Sequence, residues 1–197
     1  MLTAGRVPIA SGRTREVVEL VRADRKRLRQ VVECLWDEEP AVAMRAADAL
    51  EKLTRQNPRN PDPTVPPLVA ALEREWKAPL IGLLAEVTQN KLRWCLAAMI
   101  PRMELTLAEC ERVAGILQSY LDDPSSIVKT CALQGLADLA RQDASLAPEV
   151  IDLLRIHSRS GTPAMRARGR MLLKQIASTP TKRIFGPFWG ESRIGML

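Results

Sequence analysis

The sequence predicts an all-α fold, a right-handed α-solenoid of about four helix pairs, and three observations support this prediction. A helical phrase recurs four times along the 197 residues. Leucine and alanine dominate the apolar residues, whereas Phe (2) and Tyr (1) are scarce, which favours helices over strands. A hydrophobic content of 46% with 26% charged residues is typical of a folded domain with its own core.

Each copy of the phrase has an apolar residue, then a usually basic one, and mostly a small residue three positions later. The second position of the four copies is occupied by Ala43, Arg93, Lys129 and Arg166. Successive intervals between the last three copies are 36 and 37 residues, and a near-constant period of this size marks stacked helical pairs. Small residues recur in two columns of the phrase, which predicts close approach of paired helices. They are Ala46, Ala132 and Gly169 in one column, and Ala49 and Gly135 in the other.

The chain divides into three predicted parts. Residues 1–13 form a flexible leader, residues 14–178 form the repeat domain, and residues 179–197 form an irregular aromatic tail. Five prolines fall between residues 57 and 67, which predicts a stiff extended linker inside the repeat domain. This linker accounts for the longer first interval of the repeat, 50 residues.

Prolines and capping residues predict where the individual helices begin. Pro40, Pro148 and Pro163 each suit the first turn of a helix, where a missing N–H costs nothing. Thr106 and Glu109 have the spacing of a capping box. The apolar spacing predicts that the helix they open buries Leu107, Cys110, Ala114, Leu117 and Leu121. The full set of predicted helices is 14–36 in two pieces, 40–56, 68–88, 91–103 capped by Asn90, then 107–121, 124–141, 148–158 and 163–178.

Two of the four phrases resemble HEAT repeats. In that family an aspartate occupies the turn inside each helix pair, shortly before a Val-Arg step. Asp37 precedes Val42, and Asp123 precedes the Val128–Lys129 step, in this way. Val87 and Ser160 occupy the equivalent positions of the other copies. The resemblance covers residues 24–178 and implies a HEAT-like solenoid, a fold that serves as adaptor, transport receptor, lyase chaperone or, in one branch, DNA glycosylase.

Charge is distributed unevenly along the chain, whose net charge is +6. Residues 1–29 carry eight basic against three acidic residues, residues 30–152 carry twelve against nineteen, and residues 153–183 carry eight and no acid. Basic ends and an acidic middle suggest an electrostatically selected partner, or self-association of end with middle. No apolar run reaches the length of a membrane span, and we expect a cytoplasmic protein whose four cysteines are reduced core residues.

Two charged clusters are candidates for binding. Arg166, Arg170 and Lys174 form a basic stripe on the last helix, which either binds phosphate or acidic groups or is a solvated end-cap. A second ridge on the helix beginning at Pro40 either contacts a partner or is ordinary surface chemistry. That ridge consists of Arg45, Asp48 and Lys52.

Aromatic residues give two further candidates. Arg93 and Trp94 are the best pair for stacking on a base or anchoring a peptide, with a core position of Trp94 as the alternative. Trp36 and Trp76 are predicted to lie in the core. The tail places Phe185, Phe188 and Trp189 within five residues. They either dock on the solenoid or a partner, or pack on the last repeat.

These patterns favour a non-catalytic scaffold that binds a protein partner, with no cofactor, catalytic residue or metal site. His157 is the single histidine, and no acid lies within a turn after Trp94 as a HEAT-like glycosylase would need. The alternative is nucleic-acid binding through the basic last repeat, and glycosylase-like repair is a weaker third. The charge on the concave face of the solenoid distinguishes these functions. A basic face continuing into Lys129 and Arg93 favours nucleic acid, whereas an acidic or mixed face favours protein.

Overall fold

A computed structural model of the protein describes residues 13–57 and 59–178, and every regular element in these ranges is helical. The all-α prediction is therefore confirmed for this part of the chain. Short 3-10 turns lie at Arg25–Arg27, Cys34–Trp36, Ile100–Arg102, Tyr120–Asp122 and Ala144–Leu146. The α-helices are α1 (Thr14–Ala23), α2 (Leu28–Glu33), α3 (Pro40–Thr54), α4 (Val65–Glu86), α5 (Asn90–Met99), α6 (Leu107–Ser119), α7 (Ser126–Gln142), α8 (Ala147–Ser160) and α9 (Pro163–Ser178).

Two predicted boundaries need correction. Helix α4 begins at Val65, so Pro66 and Pro67 lie in its first turn rather than in an extended linker reaching residue 67. A proline fits there because the first N–H groups of a helix have no intrahelical partner. Gln89, not Asn90, is the N-cap of α5, and its side chain makes no capping hydrogen bond.

The capping box at the start of α6 is confirmed. The Glu109 N–H donates to Thr106 Oγ1 at 3.3 Å, and the Thr106 N–H donates to Glu109 Oε2 at 2.8 Å. Leu107, however, is 66% exposed, so its predicted burial was wrong. The apolar spacing of α6 continues into its first turn, but spacing alone does not show how much of the helix is covered by neighbouring helices.

Alternate helices pack side by side in chain order: α3 on α5, α5 on α7, and α7 on α9. Helix α1 packs on α3, α6 on α7 and α8 on α9, and the buried side chains between these helices form one continuous core. The predicted small-residue columns lie at the contacts. A Cβ atom added to Gly135 would be 2.8 Å from the carbonyl oxygen of Ala97 on α5, and one added to Gly169 would be 3.3 Å from the carbonyl oxygen of Leu154 on α8.

Aspartates organise the turns between the helices. In each case a carboxylate oxygen accepts the backbone N–H two residues further on, which is the Asx-turn geometry that competes with helix propagation. The sequence singles out two of these residues, Asp37 and Asp123. Three more aspartates make the same turn: Asp24, Asp62 and Asp143.

No helix in the described ranges has both the length and the apolar character that crossing a membrane requires.

Candidate functional site

A groove of about 810 Å³ crosses one face of α3, α5, α7 and α9, and we call it the arginine groove. Four arginines line it together with two acids, several amides and one indole. Its charge is mixed with a basic excess. The charged lining residues are Arg55, Arg102, Arg141, Arg168, Glu51 and Asp138, and the uncharged ones include Trp94, Cys131, Gln134, Met171 and Gln175.

Helical spacing brings these side chains to one face. On α7, Cys131, Gln134 and Asp138 follow at steps of three and four residues. On α9, Arg168, Met171 and Gln175 repeat the same steps. Side chains at these intervals stack above one another on a helix, so each helix contributes one row to the groove.

Glu51 is the buried anion at one end of the groove, with its side chain only 2% exposed. Arg55 donates to both carboxylate oxygens, at 3.0 and 2.6 Å, and Arg102 donates to Oε1 at 2.7 Å. Arg102 also donates to the Glu51 carbonyl oxygen at 2.9 Å and to Thr54 Oγ1 at 3.1 Å. A buried carboxylate with this many charged donors is fully compensated, and it ties α3 to the turn after α5.

Asp138 of α7 is the second acid of the groove. It accepts hydrogen bonds from Gln134, at 3.0 Å, and from Arg141. Arg141 also donates to Gln175 at 3.3 Å, and Arg168 donates to Gln134 at 3.0 Å, so α7 and α9 are linked by polar contacts. Burial raises the pKa of Asp138 despite the nearby guanidinium groups.

The groove contains one thiol, Cys131, which is half-buried and free of disulfide. Burial raises the pKa of this thiol, and the nearby cations do not reverse that effect. Because the thiolate is the nucleophilic form, this environment suppresses the reactivity of Cys131.

The predicted ridge on α3 is an internal cluster and does not line the groove. Asp48 is buried and accepts hydrogen bonds from Lys52 at 2.7 Å and from Lys91 of α5 at 3.2 Å. Burial by itself would raise the pKa of Asp48, but the two ammonium groups outweigh it and lower the pKa. Lys91 Nζ also lies 4.3 Å from the ring centroid of Trp94. Arg45 lies half-buried on the same helix.

Arg93 connects successive copies of the repeat. Its Nε donates to the carbonyl oxygen of Val87 at 2.8 Å, and its Nη1 donates to the buried carboxylate of Asp123. The guanidinium lies 5.1 Å from the ring centroid of Tyr120. We therefore assign Arg93 a structural role, and only Trp94 of the predicted pair lines the groove.

The basic stripe on α9 also lies outside the groove. Arg166 donates to the carbonyl oxygen of Gly161 at 3.1 Å, while Arg170 and Lys174 are exposed. Burial lowers the pKa of His157; Asp122 opposes this effect, and Lys129, half-buried on α7, adds to it. The groove arginine on α9 is instead Arg168, which faces differently from Arg166 and Arg170.

Two tryptophans predicted for the core form a second concave surface. Trp36 is 46% exposed, and its ring centroid lies 6.2 Å from that of the half-buried Trp76 of α4, with the ring planes at 31°. With Pro79, Leu83 and Glu86 they line a pocket of about 410 Å³, which we call the tryptophan pocket. The core prediction for Trp36 was wrong because its short 3-10 turn ends at a surface turn.

Three of the groove arginines, Arg55, Arg102 and Arg141, are not among the residues that the sequence patterns single out. The signal was present in the acid–base spacing of Glu51 with Arg55 and of Asp138 with Arg141. No local spacing predicts the pairing of these residues with partners more distant in the sequence. Phe185, Phe188 and Trp189 lie outside the described residues. Among the residues that are described, no cluster of three or more His, Cys, Asp or Glu side chains has the geometry of a metal site.

Comparison with known proteins identifies the fold alone. No protein-family model matches the chain, and no curated protein matches it. Among solved structures, the crystal structure of an engineered protein from the Northeast Structural Genomics Consortium is similar, with a TM-score of 0.59 over 86% of this chain and 69% of that one. The sequence identity is 20%, so the likeness extends to the helical architecture and no further.

Proposed function

We propose that this protein is a non-catalytic HEAT-like scaffold, a right-handed solenoid of about four helix pairs, that binds an acidic segment of a partner protein in the arginine groove. The proposal is supported by the packing of α3 on α5, α5 on α7 and α7 on α9, which we take to be the second helices of successive pairs. In a solenoid these helices form a continuous surface suited to an extended ligand.

The observation that carries the proposal is the convergence of four arginines from different repeats on one groove. Arg55 keeps 60% of its side chain exposed and Arg141 keeps 45%, so both retain N–H groups that reach solvent. Planar guanidinium groups bind carboxylates through paired hydrogen bonds, and intramolecular contacts hold these in position before a ligand arrives.

A mixed groove favours a protein partner over nucleic acid. Glu51 and Asp138 separate the arginines of the groove, so the lining does not form the unbroken row of cations that suits the evenly spaced phosphates of a nucleic-acid backbone. The exposed stripe residues Arg170 and Lys174, which would extend such a track, do not line the groove. The scaffold role, as opposed to catalysis, is supported by the pairing of both groove acids with arginine and by the raised pKa of Cys131.

Fluorescence anisotropy tests this proposal with a labelled twelve-residue peptide of alternating glutamate and glycine. We expect Arg55→Gln and Arg168→Gln each to weaken binding by about tenfold, the worth of a charge-assisted hydrogen bond. Arg112→Gln is the matched control because Arg112 is exposed on α6 and the charge change is the same. Its affinity should remain within about twofold of wild type.

Labelled single- and double-stranded DNA and RNA are titrated in parallel at low and physiological salt. Tighter binding of a nucleic acid than of the peptide, with a steep decrease in salt, contradicts the scaffold proposal and supports the alternative. Equal losses for Arg112→Gln and the groove variants contradict the groove as the site, because they show attraction by net charge alone.

A further inference from the structure

The tryptophan pocket combines two aromatic rings with a carboxylate. Its walls are the indoles of Trp36 and Trp76, and Glu86 stands at its edge. Among the described residues, no lysine or arginine lies over either indole, and Glu86 makes no hydrogen bond or ion pair. Trp36 is 46% exposed and Trp76 is half-buried, so indole surface and an exposed carboxylate lie together at the protein surface.

At two other positions in this protein, an aromatic ring and a carboxylate together bind a basic side chain of the same chain. Lys91 lies over Trp94 while bonded to Asp48. Arg93 lies over Tyr120 while bonded to Asp123. In both triads an aromatic face and a carboxylate hold one cation, because the ring quadrupole and the anion act on the same charge. The tryptophan pocket supplies the ring and the carboxylate only.

Charge around the pocket favours a basic occupant. Asp37, Glu38 and Glu39 follow Trp36 directly and are all exposed. The pocket lies within the acidic middle of the sequence, where acidic residues outnumber basic ones nineteen to twelve. The local field therefore attracts cations although the whole chain carries +6.

We propose that the tryptophan pocket binds an arginine side chain from a basic segment of a partner protein, with the guanidinium stacked on Trp36 and hydrogen-bonded to Glu86. Arginine fits better than lysine because its planar head stacks on an indole while its edge donates to a carboxylate. The pocket is separate from the arginine groove and shares no lining residue with it. This inference therefore stands whether or not the groove binds an acidic segment.

The test is an anisotropy titration of the full-length protein with a labelled nonapeptide that carries three arginines separated by glycines. The same peptide with citrulline in place of arginine removes the charge and keeps the shape. We expect binding of the arginine peptide, at least fivefold weaker binding of the citrulline peptide, and a loss of about tenfold for Trp36→Ala and for Glu86→Lys. Glu86 is exposed, so its variant keeps the fold even if Trp36→Ala does not.

Two control variants locate the effect. Glu111→Lys makes the same charge change at an exposed position of α6, and Arg55→Gln alters the groove. Both should bind the arginine peptide within about twofold of wild type. Absence of binding at millimolar peptide, equal binding of the citrulline peptide, or an equal loss in Glu111→Lys overturns the proposal. Binding that appears only after deletion of residues 179–197 also overturns it, because the chain's own tail is then the occupant.

Discussion

The arginine groove and the tryptophan pocket differ in what their charged groups do in the free protein. In the groove the acids are already satisfied: Glu51 by Arg55 and Arg102, and Asp138 by Arg141. In the pocket Glu86 has no such partner among the described residues. Charges at the groove therefore hold neighbouring helices together, whereas the charge of Glu86 makes no such contact in the part of the chain that the structure describes. Substitution of a charged residue should therefore affect stability at the groove and leave it nearly unchanged at the pocket.

The largest expected effect is at Glu51. Replacing it with Gln removes the anion from a buried site and leaves the Arg102 guanidinium without its charge partner. We expect the free energy of unfolding, measured by urea denaturation, to fall by about 3 kcal/mol. Glu111→Gln, at an exposed site, should change it by less than about 0.5 kcal/mol. Equal stability of both variants would show that the groove charges do not hold the repeats together.

Gly135 tests the close helix approach behind the groove. A Cβ there would lie 2.8 Å from both the Ala97 carbonyl oxygen and Leu117 Cδ1, and the backbone oxygen cannot rotate away. Gly135→Ala should lower the free energy of unfolding by about 1–3 kcal/mol. The matched change Gly115→Ala meets no atom within 4 Å in helix α6 and should raise it by about 0.5–1 kcal/mol. The same sign for both substitutions would contradict the contact.

Asp48 gives a pH-dependent test of internal pairing. Its pKa is lowered in the folded state, so its contribution to stability is present above the ordinary carboxyl pKa and is lost as pH falls through the lower folded value. Asp48→Asn should cost about 1–2 kcal/mol at pH 7 in urea titrations. The difference from wild type should shrink as pH falls below about 4. If the loss in free energy of unfolding does not depend on pH, it arises from the changed side-chain shape and not from the lost charge.

The smallest effect is expected at the pocket. Glu86→Gln should change the free energy of unfolding by less than about 0.5 kcal/mol, because an exposed acid without a partner contributes little to the folded state. Thermal and urea denaturation measure this alongside Glu51→Gln. A loss comparable to that of Glu51→Gln would remove the contrast between the two regions and would indicate that Glu86 has a structural role.

Individual residues show where sequence reasoning succeeded. Thr106 and Glu109 formed the predicted capping box because both partners lie within one turn, where spacing fixes geometry. Gly135 and Gly169 lie at helix contacts because a repeated small residue identifies the interface even when its partner is unknown. The sequence does not predict the contact of Arg93 with Asp123, because the two residues are 30 positions apart and no local pattern shows that pairing.

The sequence by itself determined that the described chain is helical, where most helices begin, and which faces are apolar, since these depend on propensity, caps and period within a few turns. Only the tertiary structure decided which charges meet. The sequence predicts Asp48 on a surface ridge and Trp36 in the core, whereas in the structure Asp48 is a buried anion and Trp36 lies at the surface. Burial and long-range pairing depend on how neighbouring repeats pack, and the same local pattern is compatible with several such packings.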